Sequence, residues 1–172
     1  MSTRARLAIA GVVALASAIG IGIIVVGWAS DDTPSRGNAP RSLGEINAVA
    51  PFEGYLEVRV ATPDRCARLV VADTAERRER GLRGFADLGP YSGMLFAQPE
   101  DSDTTFTMSG VRDPLDIAWF AADGSRVDST TMRPCPDAGA AQCPQYRSRV
   151  PYRYAVETPA GSAPGVSVSP CG

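Results

Sequence analysis

The sequence lacks two of the residues on which enzyme sites most often depend. It contains no His, and all 17 of its basic residues are Arg, so Lys is absent as well. Without His, the chain lacks the commonest general base and a common ligand for zinc and copper. No Ser lies in a Gly-x-Ser-x-Gly motif, and no His is present to activate one. A serine hydrolase is therefore excluded.

Positive charge is also sparse in the main part of the chain. Arg4 and Arg6 precede an apolar segment, whereas all 19 acidic residues follow it. With two of the 17 Arg removed, the remainder carries 15 Arg against 19 Asp and Glu, a net charge of −4. An acidic domain without a basic run is a poor partner for nucleic acid, so we expect no nucleic-acid binding.

The apolar segment, Leu7 to Trp28, contains no charged residue. As a helix it would reach about 33 Å, enough to cross a hydrocarbon core of about 30 Å. Arg4 and Arg6 on one side predict that the N-terminus is cytoplasmic and that the rest of the chain lies outside. The alternative is a cleaved signal peptide with Gly27 and Ala29 at the small-residue positions, which would give a secreted protein. The apolar core is long for a signal peptide, which favours a retained single-pass anchor.

The sequence divides into three parts. Residues 1–30 form the anchor or signal segment, and residues 31–51 are rich in Pro, Gly, Ser and Asn, which is typical of a flexible linker. Residues 52–172 are long enough for one domain. We therefore predict one extracytoplasmic domain held at the membrane.

Short strands separated by turn residues dominate this domain. Tyr55–Val60 alternates apolar and charged residues, which predicts a half-buried strand. One helix is predicted from Thr74 to about Arg80, because Asp73 and Glu76 resemble a capping box and Gly81 favours a helix exit. The pattern predicts an α+β, mostly β fold, an antiparallel barrel-like or sandwich sheet of seven to eight short strands with one short helix. The other predicted strands are 66–72, 93–97, 104–108, 115–120, 125–132, 152–157 and 166–168.

Four Cys lie in the part predicted to be outside, where an oxidising environment favours disulfides. Cys135 and Cys143 flank a short, turn-prone loop and are expected to pair. Cys66 and Cys171 remain, and their bond would hold the C-terminal tail. The sequence has no Cys-x-x-Cys spacing and no His, so it lacks the usual features of a redox or metal site. We therefore expect neither a metal nor a cofactor.

Several motifs in this order resemble a bacterial and archaeal family, the domain of unknown function 192. They are Val71–Glu76 with Arg80-Gly-Leu82, Gly93–Phe96, Phe106-x-Met108, Pro114–Ala118 with Asp123-Gly124, Cys135…Cys143-Pro-x-Tyr146, and Tyr154–Glu157. The resemblance covers about residues 69–168 and implies an exported or membrane-anchored protein with a compact, mainly β fold. It implies no activity.

The chain departs from that family at four positions. An aromatic residue between the Phe and the Met, and a Lys-Asn pair after the Met, are replaced by Thr107, Ser109 and Gly110. Arg83 stands where the family has Met. A ligand contact through Trp, Lys or Asn at these positions is therefore not expected here.

Two functions remain open. A carboxylate pair drawn from Asp73, Asp113, Asp116 and Glu157 would support a hydrolase of cell-envelope material. The favoured hypothesis is instead a non-catalytic envelope domain that binds a ligand or a protein partner. Asp73 is explained by helix capping, and Asp116 by an outward-facing or turn-capping position. The candidate pocket residues are Asp73, Met94, Phe96, Phe106, Met108, Asp116 and Trp119, although the apolar ones also suit a plain core.

Overall fold

A computed structural model describes residues 46–162, 167–169 and 171 of the chain. The predicted anchor, 7–28, and most of the predicted linker lie outside the described residues. Within the described residues, no helix has the length and apolar character needed to cross a membrane.

The described chain forms nine strands and one short helix. Seven strands make one mixed sheet in the order β1-β2-β3-β4-β9-β6-β7, and β5 pairs with β8 in a separate two-stranded ribbon. The strands are β1 (Ile46–Asn47), β2 (Leu56–Ala61), β3 (Cys66–Ala72), β4 (Gly93–Ser102), β5 (Phe106–Thr107), β6 (Leu115–Phe120), β7 (Arg126–Met132), β8 (Gln145–Tyr146) and β9 (Tyr152–Pro159), and the helix α1 is Ala75–Arg80.

The mostly β prediction is confirmed, but the antiparallel barrel-like sheet is wrong in two respects. The seven-stranded sheet has two edges, β1 and β7, and is not closed. In addition, β3 and β4 are parallel. Parallel neighbours cannot be joined by a tight hairpin, and here the connection contains α1 and the loop 81–92. This crossover covers one face of the sheet and forms one side of a cleft on that face.

Both faces of the sheet are covered by apolar residues, because successive side chains on a strand point to opposite faces. On β3, Val70 and Ala72 join the larger cluster, whereas Leu69 and Val71 join the smaller one. The larger cluster includes Phe52, Leu82 and Tyr91, which lie outside the strands. The crossover and the loops therefore pack on the larger-cluster face.

The described fold begins at β1, within the segment predicted as linker. Ile46 and Asn47 pair with the first residues of β2, and Ala48 is buried. Phe52, predicted as the first folded residue, is also buried and packs edge-on against Tyr91.

Strand β2 departs from the expected alternation at Glu57, which is completely buried. Arg68 donates from Nε to its carboxylate at 3.1 Å and pairs with it a second time, while the Tyr91 hydroxyl donates at 2.9 Å. Burial alone would raise the pKa of Glu57, but the hydrogen bonds from Arg68 and Tyr91 outweigh it and lower the pKa. The charge is tolerated inside because it is paired.

The helix begins at Ala75, one residue later than predicted, and its N-cap is Thr74 in place of Asp73. Thr74 is the N-cap and accepts from the backbone N–H of Arg77 at 3.2 Å. Asp73 is instead buried and pairs with the Arg77 guanidinium at 2.6 Å. Gly81 ends the helix as predicted, with a φ of 53° that favours glycine.

Both predicted disulfides are present. Cys66 and Cys171 are 105 residues apart with a Cα–Cα distance of 5.7 Å, and Cys135 and Cys143 are eight apart at 5.9 Å. The long-range bond ties the C-terminal segment to the start of β3.

Candidate functional site

A cleft of about 410 Å³ opens on the larger-cluster face, where the end of α1 approaches β4 and β9. Its volume lies at the lower end of the range for small-molecule sites. One wall comes from α1 and the turn after it, and the other from Thr104–Thr107. The lining residues are Ala75, Arg78, Glu79, Arg80, Gly81, Leu82, Arg83, Phe96, Gln98, Thr104, Thr105, Phe106, Thr107, Val111 and Glu157.

Glu157 contributes a carboxyl group to the cleft from the middle of the sheet. On β9 it lies opposite Met94 of β4 and Ile117 of β6, and only 5% of its surface is exposed. No hydrogen bond reaches its side chain from the residues that the structure describes. Burial raises the pKa of Glu157 to about 8, against a smaller opposing effect of the Arg83 charge. At neutral pH the group is therefore mainly a neutral carboxylic acid and a hydrogen-bond donor.

The backbone under Glu157 is fixed by close contact with Gly93. A Cβ atom at Gly93 would lie 2.0 Å from the backbone oxygen of Glu157. Only glycine permits this approach between β4 and β9. The position of the Glu157 carboxyl is therefore set by the sheet and not by a loop.

Three arginines line the cleft without forming an ion pair within the described chain. Arg78 donates from Nη1 to the carbonyl oxygens of Asp73 and Ala97, at 2.8 and 3.0 Å. The Arg80 guanidinium lies over the Phe85 ring, 4.9 Å from its centroid. Both side chains are thus held in place while their positive charges stay uncompensated.

Of the three cleft arginines, Arg83 has the guanidinium with the fewest contacts within the described residues. The position that a Cβ at Gly110 would occupy lies 3.6 Å from its Cγ and Cδ, so the aliphatic stem packs over this glycine. Among the described residues its guanidinium has neither a hydrogen-bond partner nor an ion-pair partner. Its fork of five donors is therefore available to a ligand.

Aromatic rings provide the apolar wall of the cleft. Phe96 and Phe106 meet edge to face with their centroids 5.1 Å apart. The segment that carries Phe106 is held by Tyr152, whose hydroxyl donates to the carbonyl oxygen of Thr104 at 2.9 Å. Burial raises the pKa of Tyr152 to about 12, so this donor persists across the physiological pH range.

The structure divides the residues predicted to form a pocket. Phe96 and Phe106 line the cleft. Met94, Met108 and Trp119 do not line it, and each is at least 99% buried in the larger cluster. These three act as core.

The predicted acid–base carboxylates are likewise separated. Asp73 is taken up by Arg77. Asp116 lies in a different, smaller cavity of about 310 Å³ and accepts from the Thr131 hydroxyl at 2.6 Å and from the Gly161 N–H at 2.7 Å. Of the four, only Glu157 reaches the cleft.

Sequence reasoning missed the arginines. In the sequence, Arg77 to Arg80 belong only to a predicted helix, and Arg83 is only a departure from a family pattern. The available signal was the excess of Arg over acid between Arg77 and Arg83, close to the glycine that ends the helix.

A second cavity of about 490 Å³ adjoins the cleft and shares Leu82 and Val111 with it. Its other lining is mainly apolar, and its two charged members, Arg112 and Asp113, are exposed and opposite in sign. The remaining lining residues are Gly84, Phe85, Ala86, Leu88, Gly110, Leu115 and Pro159.

Within the described ranges no group of three or more His, Cys, Asp or Glu is placed to hold a metal ion.

Two solved structures share this fold. A protein of unknown function from Novosphingobium aromaticivorans DSM 12444 is 21% identical, with a TM-score of 0.57 over 76% of this chain and 97% of that chain. A protein from Sinorhizobium meliloti 1021, described as a candidate transcription regulator, is 26% identical, with a TM-score of 0.51 over 72% of this chain and 95% of that one. No curated protein matches the chain.

The sequence profile of the domain of unknown function 192, described as uncharacterized ACR, matches residues 57–170. This match includes every strand from β3 onward, the helix and the cleft. The chain belongs to the DUF192 family.

Proposed function

We propose that the chain is a membrane-anchored, extracytoplasmic, non-catalytic domain that binds a small organic anion in the cleft. One observation carries the proposal. Three arginines without ion-pair partners among the described residues, Arg78, Arg80 and Arg83, line the same cleft as a buried carboxyl group, Glu157, that is neutral at pH 7.

The charges of the cleft favour an anion. Besides Glu157, the cleft has one acidic residue against the three arginines, Glu79, which is exposed on α1. Glu157 does not repel an anion while it is protonated, and it has a hydrogen to donate. An Arg fork binds a carboxylate through two parallel hydrogen bonds, the strongest neutral-pH contact that these residues offer. Phe96 and Phe106 provide an apolar surface for the body of such a ligand.

Isothermal titration of the full chain in lipid nanodiscs tests the binding. We expect benzoate to bind and benzylamine not to bind, with empty nanodiscs as the blank. Arg83→Gln should weaken benzoate at least about tenfold, because a hydrogen bond to a charged group contributes about 1.5–3 kcal/mol. Arg133→Gln is the matched control, since Arg133 is exposed and lines none of the three cavities. Equal binding of the amine, or equal loss in both variants, contradicts the proposal.

The proposal that the folded domain lies on the extracytoplasmic side rests on the 22 uncharged residues from Leu7 to Trp28 and on the two arginines before them. Two disulfides among the described residues support an oxidising compartment. A reporter active only outside the cytoplasm, fused after Gly172, should be active. Carbonate washing should leave the chain in the membrane, whereas release of a shorter product would show a cleaved signal.

The pKa of Glu157 also supports a second candidate, a carboxylate-dependent hydrolase of cell-envelope material. A carboxyl group in a cleft with a pKa raised to about 8 has the protonation state of a general acid at pH 7. The exposed Glu79 is the other carboxylate of the cleft. Turnover of peptidoglycan or polysaccharide fragments that vanishes in a folded Glu157→Gln variant would favour this candidate over binding alone.

A further inference from the structure

We propose that the ligand is a single-chain acyl carboxylate. Its head group lies in the cleft at Arg83, and its hydrocarbon chain crosses Leu82 and Val111 into the second cavity. This inference rests on the proposed function and names the class of anion that the site takes.

The first support is that the two cavities are adjacent. Leu82 and Val111 line both, and Gly110, against which the Arg83 stem packs, lines the second. Arg83 itself lines the cleft. The second cavity therefore lies next to a ligand held by the Arg83 guanidinium, beyond Leu82 and Val111.

The second support is the contrast between the cavities. The cleft presents three positive charges, whereas the charged residues of the second cavity, Arg112 and Asp113, balance each other. Phe85, Leu88 and Leu115 supply its larger apolar side chains. A molecule with one anionic end and one hydrocarbon end satisfies both cavities, and a small polar anion leaves the second one unused.

The third support identifies the head group as a carboxylate. Arg78 already donates to two backbone carbonyl oxygens, and Arg80 lies over the Phe85 ring. The Arg83 fork is held neither by a backbone oxygen nor by a ring within the described residues, and it matches the two oxygens of one carboxylate. Glu157 lies beside it and donates a further hydrogen bond while it is neutral. A dianionic phosphate carries a second negative charge, and the single guanidinium of Arg83 neutralises only one.

A chain-length series tests the inference. The full chain in nanodiscs is titrated with butyrate, hexanoate and octanoate below their micelle concentrations. Burial of each methylene contributes about 0.8 kcal/mol, so the dissociation constant should fall about fourfold per carbon. Octyl phosphate should bind at least about tenfold more weakly than octanoate, and octylamine should not bind.

Variants at two exposed alanines locate the chain. Ala86→Trp places a large ring in the second cavity and should abolish the gain from butyrate to octanoate while it leaves butyrate unchanged. Ala122→Trp, on the β6–β7 turn outside all three cavities, should change neither. Arg83→Gln should weaken every member of the series by the same factor.

Three results would overturn the inference. They are a dissociation constant that does not change with chain length, a gain that persists in Ala86→Trp, and octyl phosphate binding as tightly as octanoate. Each of them leaves the proposed function standing if benzoate and butyrate still bind through Arg83. If no carboxylate binds, both the inference and the proposed function fail.

Discussion

Raising the pH from about 5 to about 9 should destabilise the fold through one side chain, Glu157. Burial raises the pKa of this carboxyl from 4.5 to about 8 in the folded state. Between these values the unfolded chain has released the proton and the folded chain still holds it. Stability from the neutral group is therefore complete below about pH 4.5 and is lost as the pH rises through about 8. At about 1.4 kcal/mol per pKa unit, the full change is roughly 5 kcal/mol.

The effect should be visible because little else titrates in this range. The chain has no His. Hydrogen bonds to their carboxylates lower the pKa values of Asp123 and Asp128, the latter to about 2. The pKa of Glu57 is also lowered. These groups stay ionised across the range.

Urea unfolding at several pH values provides the assay, with the midpoint converted to a free energy of unfolding. Wild type should lose several kcal/mol between about pH 5 and about pH 9, whereas Glu157→Gln, which cannot ionise, should lose little. Glu79→Gln, on the exposed face of α1, should follow wild type. Parallel curves for wild type and Glu157→Gln would refute the claim that a buried, neutral carboxyl lies in the cleft.

Three further changes test the fold and the site. Gly93→Ala should cost about 3 kcal/mol of unfolding free energy, the upper end for overpacking, because its Cβ would meet the Glu157 carbonyl; thermal denaturation measures this. Replacing both Cys66 and Cys171 by Ser should lower the free energy of unfolding by about 5 kcal/mol, because this disulfide closes the longer loop. Replacing both Cys135 and Cys143 should lower it by about 2.5 kcal/mol. Equal losses in urea unfolding would contradict a stabilisation that grows with loop length. Asp116→Asn should cost about 1 kcal/mol through its bonds to a hydroxyl and a backbone N–H, and should leave benzoate titrations unchanged.

Local pattern was sufficient for individual strands. The predicted bounds of Cys66–Ala72 and Leu115–Phe120 agree with β3 and β6, because a continuous apolar run in a short segment has few other solutions. The predicted strands 115–120 and 125–132 are β6 and β7, which pair with each other across a short turn. Both disulfides followed from spacing and position.

Pairing between distant segments was not accessible to the same reasoning. A strand's own sequence does not name its partner, so the parallel contact of β3 with β4 escaped prediction, although a helix between two apolar runs is its usual sign. Glu57 was expected outside because its neighbours alternate. It is inside because Arg68 on the next strand and Tyr91 in a loop satisfy its oxygens.

The site was only half predictable for a related reason. The sequence predicts Phe96 and Phe106 as apolar pocket residues, and they line the cleft. It predicts Met94, Met108 and Trp119 on the same pattern, but these three lie in the core. Arg83 becomes significant only when the crossover brings it over Gly110 and beside Glu157.

Solid-state NMR distance measurement between benzoate labelled with ¹³C at its carboxyl and ¹⁵N-labelled protein in lipid bilayers tests the central claim most directly. The full chain is used, and Arg83→Gln identifies the nitrogen signal. A carboxylate held by the Arg83 fork places its carbon about 4 Å from the guanidinium nitrogens, which gives strong dipolar dephasing in wild type and none at this site in the variant. Bound benzoate whose dephasing is the same in Arg83→Gln would contradict an anion site in this cleft.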